Sequence, residues 1–279
     1  MYLTIMGSTA YGVTEDTSDL DIYGYCIPSK SDIFPYLDKV FGFDDVSVFK
    51  NYQQHHIFDQ DALGGKGREY DFTINNIVRY FRLCRDCNPN MIDSLFVPQS
   101  CIIHSTKISE MVRNERHLFL SKEMWPRFKG YAFSQLHKSK GKKPQKGSKR
   151  DKLRERYGYD NKFLYHVVRL LSEAEYILLH NDLDLQEKGR REHMKAIRRG
   201  EVSEEDIRKW ASEKEIQLEK LYHSSTLPLT PDVNKIRKLL LHCLEEHYGS
   251  LEIVATDWAQ QVLKEIDEKI QMVRKVLYS

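Results

Sequence analysis

The sequence predicts an α/β fold in its first hundred residues and an almost wholly helical region after them. Three observations carry that reading. Short apolar or β-branched runs at 2–6 and 20–27, and two more runs around a glycine-rich turn at 55–73, have the length and alternation of strands. From about residue 74 the apolar spacing changes to three and four, the period of a helix. The long periodic segments after residue 137 are all helical in type.

The first two strands are joined by GSTAYGVTEDTS, and the second, LDIYGYCI, opens in polar and apolar alternation. In HHIFDQDALGGKGREYDFT, Gly64, Gly65 and Gly67 supply a turn longer than the tightest hairpin. Ile74, Ile77, Val78, Phe81 and Cys84 then follow helical spacing until Asn88-Pro89-Asn90 interrupts it. An apolar CIIH segment and helices containing Met111, Trp125 and Phe133 are expected over 101–137, with Trp125, Phe128 and Tyr131 packing the helical region. The segment 138–158 reads as a loop, because its Lys, Gly, Pro and Gln residues offer no apolar stripe. Phe163, Val167, Leu170, Leu171, Ala174 and Leu178 mark the strongest helix, at 160–180, and further helices are expected at 203–222, 231–248 and 255–277.

A chain of 279 residues buries a core without needing disulfides or a structural metal. Its 41% hydrophobic and 30% charged content, with 8 Pro and 14 Gly, excludes collagen-like, mucin-like and wholly disordered classes. No apolar run approaches 18 residues and the N-terminus lacks a basic stretch followed by an apolar one, so no membrane association is expected and the expected location is cytoplasmic. Five scattered cysteines, Cys26, Cys84, Cys87, Cys101 and Cys243, fit a reducing compartment, and the lone Cys84/Cys87 pair lacks a second pair of zinc ligands. The net charge of +2 hides an asymmetry: residues 138–156 carry +8 and the remainder −6. That segment, with Lys140, Lys142, Lys143, Lys146 and Lys149, is a candidate polyanion contact, although a solvated loop has the same composition.

Asp19 and Asp21 stand at i and i+2 at the entrance of the second strand, so their side chains point to one side with Cα atoms about 7 Å apart. Two carboxylates so placed can share Mg²⁺ or Mn²⁺ with substrate phosphates. Gly7 permits close backbone approach after the first strand, and Ser8 can donate its hydroxyl to a phosphate oxygen. Caps and turns use the same residues.

In order, Gly7, Ser8, Ala10, Tyr11, Gly12, Ser18, Asp19, Asp21 and Gly24 form GSxAYGxxxxxSDxDxxG, which resembles the signature of the DNA polymerase β-like nucleotidyltransferase superfamily. It most resembles the nucleotidyltransferases found beside RNA ligases in prokaryotes and phages. NPNMIDSLF at 88–96, YDNKFLYHVVRLLSEAEYIL and KAIRRGE extend the resemblance over most of residues 2–202. It implies a mixed-sheet nucleotidyltransferase domain over 1–100, a helical region over 101–279 containing the basic loop, and Gly7, Ser8 and Tyr11 at a nucleotide phosphate. It also implies a third carboxylate on a neighbouring strand. Asp71 is the choice, with Glu69 on the same parity and Asp59 and Asp61 as competitors. The NP segment is expected to cap and pack helices.

Lys162, His166, Arg169, Glu173 and Tyr176 are spaced 4, 3, 4 and 3, and so share one helix face, which a solvated surface would equally explain. The resemblance places Lys162, His166 and Arg169 in the nucleotide cleft. Arg198 and Arg199 fit either added positive potential or a helix-end ion pair. The expected activity is transfer of a nucleoside monophosphate from an NTP to a hydroxyl, with RNA as acceptor. The alternatives are a protein or small-molecule acceptor and a noncatalytic nucleic-acid-binding module.

Overall fold

A computed structural model describes residues 1–14, 19–28, 53–141, 155–249 and 266–271. β1 (Tyr2–Ile5), β2 (Leu20–Cys26), β3 (Gln53–Asp59), β4 (Arg68–Asn76) and β5 (Ile102–His104) form one sheet in the order β3-β4-β2-β1-β5. β2 and β4 run parallel, and the other neighbours pair antiparallel. β1 is only four residues long, yet it is flanked by β2 and β5, and the Tyr2 side chain is fully buried. β5 follows residue 100 and returns to the sheet. Gly24 is required where β1 crosses β2, because a Cβ there would overlap the Tyr2 carbonyl oxygen.

α1 (Gly7–Ala10) is a single turn directly after β1. α2 (Ile77–Arg85) follows β4 without a loop, its first turn capped by Asn76, whose side chain accepts from the Arg79 amide at 2.7 Å. The helix therefore starts three residues later than the apolar spacing indicates. Ile74 lies in β4, opposite Gly24 and Gln53, where the strand ladder outweighs helical periodicity. Residues 88–96 cap and pack: Asn88 accepts from the Met91 amide and Pro89 opens α3 (Pro89–Phe96).

Further helices are α4 (Lys107–Asn114), α5 (Met124–Gly141), α6 (Asn161–His180), α7 (Lys188–Arg198), α8 (Glu204–Ser224) and α9 (Val233–Tyr248). α6 is the axis of this region, packed against α5, α7 and α8, while α9 covers α2 and α4. One apolar core joins sheet and helices: Tyr2, Tyr25 and Tyr80 stack in sequence with centroids 5.6 and 4.6 Å apart, and Leu164, Leu170 and Leu171 are fully buried.

Further expectations change. Residues 138–141 continue α5 and 155–157 form a helical turn, so the segment 138–158 is not wholly loop. Only the end of α7 is expected, from the resemblance of KAIRRGE to a helical signature; its start does not show in the apolar spacing, because its buried side is made by Met194 and Ile197 together with an arginine, Arg190, too thin an apolar stripe to read. The face of α6 carrying Arg169 and Glu173 is covered by neighbouring elements, with the two side chains 2% and 0% exposed, which removes the solvated-surface explanation there. Of the helix expected at 255–277, residues 266–271 are described and helical; the rest lies outside the described residues. Trp125 and Phe128 are buried as expected, whereas Tyr131 is exposed.

Candidate active site

Strand register builds the centre of the site. Parallel pairing sets Asp21 directly opposite Asp71, and paired residues of adjacent strands project to the same face. That face also carries Tyr25 and Asn75, both buried under the helices, so the two carboxylates lie where the helical cover ends. Across the other edge of β4, His56 is opposite Asp71 and contacts it through Nδ1 and Oδ1. Glu69 precedes Asp71 by two residues on the same face. One ligand atom each from His56, Glu69 and Asp71 lie within 4.8 Å of one another, so this group can coordinate a divalent cation.

α1 closes over Asp21. The Met6 amide donates to the Asp21 carbonyl at 2.7 Å, and Gly7 then turns with φ +64°. A side chain at Gly7 would be strained by that angle and would strike Asp21 Oδ2, so glycine gives the carboxylate its space. Ser8 is half-buried, with Oγ 3.4 Å from Thr14 Oγ1. Burial raises the Asp21 carboxyl above the ordinary aspartate range; the Lys162 ammonium pulls it down, and Asp71 and Asp19 push it further up. Asp19, Asp21, Asp71 and Lys162 therefore form one electrostatic group. Lys162 is exposed at the start of α6, and His166, one turn on, is half-buried with its ring against Tyr165.

Tyr11 and Arg169 lie one layer deeper. The Tyr11 hydroxyl donates to Asp93 Oδ2 at 2.7 Å and accepts from Arg169 Nη1 at 2.5 Å, and the same guanidinium nitrogen contacts Asp93. Arg169 Nη2 reaches Asn90 Oδ1 at 3.4 Å, and its guanidinium lies over the Tyr11 ring at 4.8 Å. These contacts tie the loop after β1 to α3 and α6. Gln186 adds a bond of 3.2 Å to the Ala10 carbonyl, and Arg198 one of 2.6 Å to Val13. Arg199 makes a helix-end ion pair with Glu201 at 2.5 Å.

A family model described as the RNA repair pathway DNA polymerase beta family matches residues 1–241. The chain belongs to this family. The family lies within the polymerase β-like nucleotidyltransferase superfamily, and the mixed five-stranded sheet followed by helices is that fold. No curated protein sequence matches the chain.

The structure thus brings together Gly7, Ser8, Asp19, Asp21, Asp71 and Lys162, and holds Tyr11 and Arg169 beneath them. Asp59 serves the hairpin turn instead, its Oδ1 accepting from the amides of Asp61 and Ala62 at 3.0 and 3.2 Å. Lys142, Lys143, Lys146 and Lys149 lie outside the described residues, as does the side chain of Lys140 at the end of α5. Sequence reasoning missed His56 and Asp93. The first is revealed only by cross-strand register; the second was legible only as part of the NP segment. Among the described residues no helix is long and apolar enough to cross a membrane.

Proposed function

We propose that the chain is a metal-dependent nucleotidyltransferase that moves a nucleoside monophosphate from an NTP to a hydroxyl on RNA. The observation that carries this reading is the pairing of Asp21 with Asp71 on parallel strands, beneath Gly7 and beside Lys162. The donor set fits a hard divalent cation. Asp19, Asp21 and Asp71 offer only oxygen ligands, and Asp21 is raised by burial and by both neighbouring carboxylates, which marks a surplus of negative charge suited to Mg²⁺ or Mn²⁺. Bound there, the cation would neutralise triphosphate charge and orient the α-phosphate for in-line displacement.

The chain's own groups do the rest. Ser8 and the first-turn amides of α1 donate to phosphate oxygens. Lys162 balances charge at the cleft, and His166 hydrogen-bonds and positions substrate. Arg169 and Tyr11 act from below by fixing the loop through Asp93. Asp71 accepts the proton of the incoming hydroxyl. The acceptor oxygen bonds to the α-phosphorus as the bond from that phosphorus to the bridging oxygen breaks, and pyrophosphate leaves. We assign catalysis to residues 1–100, with β5 completing the sheet, and acceptor binding to 101–279. RNA is supported by the family's description and by the +8 charge of residues 138–156.

Incubating the purified chain with each labelled NTP, Mg²⁺ or Mn²⁺, and a panel of RNAs, DNAs and proteins tests the reading. Label should pass to RNA. Asp19→Asn and Asp21→Asn should each lower turnover on the order of a hundredfold with thermal unfolding little changed. Asp71→Asn should reduce kcat more than NTP affinity. Label appearing on protein moves the acceptor to protein, and equal turnover by all variants overturns the site.

A further inference from the structure

The carboxylate row does not stop at Asp71. His56, Asp71 and Asp21 are register partners across three adjacent strands, so they form a transverse line on one face of the sheet. Strand spacing puts successive members about 4.8 Å apart. Glu69, diagonal to His56, completes a group of one imidazole and two carboxylates whose ligand atoms lie within 4.8 Å of one another. Asp71 stands in the middle: it faces Asp21 on one side and His56 with Glu69 on the other. Paired cations in two-metal sites are typically about 3.5–4 Å apart, and one carboxylate reaches both.

We propose that His56, Glu69 and Asp71 form a second cation station, sharing Asp71 with the Asp19/Asp21 station, and that its nitrogen ligand makes it select a first-row transition-metal dication over Mg²⁺. The inference rests on the proposed function for its reading of Asp19, Asp21 and Asp71. The selectivity follows from ligand chemistry. Mg²⁺ takes hard oxygen ligands and keeps much of its water, so an all-carboxylate station suits it. Imidazole favours transition metals, whose affinities for a mixed nitrogen and oxygen site rise along the series from Mn²⁺. The His56–Asp71 contact alone would also serve to aim Asp71, so the test has to separate a ligand from a hydrogen-bonding partner.

His56 is largely exposed on an edge strand, which allows substitution without disturbing the core. Mn²⁺ titration of the full chain without nucleotide, followed by the electron paramagnetic resonance of free Mn²⁺ and repeated in excess Mg²⁺, reads both stations. Wild type should retain one bound Mn²⁺ in an excess of Mg²⁺ that displaces the other. His56→Ala and Glu69→Gln should weaken that retained Mn²⁺ by about tenfold or more and leave Mg²⁺ competition at the first station unchanged. His56→Asn keeps a donor toward Asp71 but offers no imidazole, so it should behave like His56→Ala; wild-type Mn²⁺ retention in His56→Asn would overturn the ligand role. Asp21→Asn should lose the Mg²⁺-sensitive ion and keep the other. Identical binding by wild type, His56→Ala and Glu69→Gln sinks the proposal, whatever the outcome for nucleotidyl transfer. Conversely, His56-dependent Mn²⁺ retention in a protein that transfers no nucleotide leaves the station standing and removes the function assigned to its neighbour.

Discussion

Glu173→Gln isolates the charge buried beneath the loop after β1. Glu173 is fully buried, and neither of its carboxylate oxygens has a hydrogen-bond partner among the described residues. Its nearest cation, Arg169 Nη1, is 3.6 Å from Oε2 and is already held by Asp93. Burial therefore outweighs the attraction of Arg169, Asp93 adds repulsion, and the carboxyl is pushed from the ordinary 4.5 up to about 8. A raised native value means that the proton is bound more tightly in the folded chain. The stability contributed is fully present below 4.5 and is lost as pH rises through about 8. At about 1.4 kcal/mol per pH unit, most of that interval amounts to roughly 4 kcal/mol between pH 5 and 8.5. Glutamine keeps the shape and cannot ionise, and any fixed cost of its buried amide is the same at both pH values. The Tm of the variant relative to wild type should therefore rise by about 7 °C between pH 5 and pH 8.5, measured by circular dichroism. A difference that stays constant with pH would refute an ionising, uncompensated Glu173.

Two further outcomes follow from the fold and the charge pattern. Gly24→Ala should lower stability by about 1–3 kcal/mol, because the added methyl meets the backbone carbonyl of Tyr2, which cannot move without breaking the β1–β2 ladder; thermal unfolding checks it, and an unchanged Tm contradicts the close approach. Replacing Lys140, Lys142, Lys143, Lys146 and Lys149 together by Gln should weaken RNA binding and flatten its salt dependence, by about 0.7 in the slope of log K against log salt for each single-strand phosphate that the lysines no longer neutralise, while NTP affinity persists; an unchanged slope would direct the acceptor search to proteins and small molecules.

Elements whose stabilising pattern is local were readable from the sequence. The β3–β4 hairpin announces itself by its glycines, and α6 by an apolar face of six residues, all of which are buried. Elements defined by what covers them were not. α7 is amphipathic only when Arg190 counts as an inward residue, and an arginine is inward only because Asp184 offers its carbonyl and the carboxylates of Asp93 and Glu173 lie nearby. Likewise Ile74 fits a helix until β2 and β3 claim it on both sides.

The same distinction governs the site. Spacing correctly puts Lys162 and Arg169 on one stripe of α6, but a stripe 20 residues long passes through different surroundings. Its first turn emerges beside Asp21, where a cation faces the carboxylates; two turns later α3 and the loop after β1 lie over it, and the cation becomes a brace. Parity could not choose among the acidic residues of the hairpin, since Glu69 and Asp71 point the same way. Register can. A slip of one residue between β2 and β4 would set Tyr70 or Phe72 against Asp21 and turn every side chain of β4 to the opposite face, withdrawing Asn75 from beneath the helices. The buried residues at one end of the two strands thus fix which carboxylate meets Asp21 at the other. A core-side substitution that loosens Tyr25 or Asn75 acts on the same register as Asp71, without touching the carboxylates.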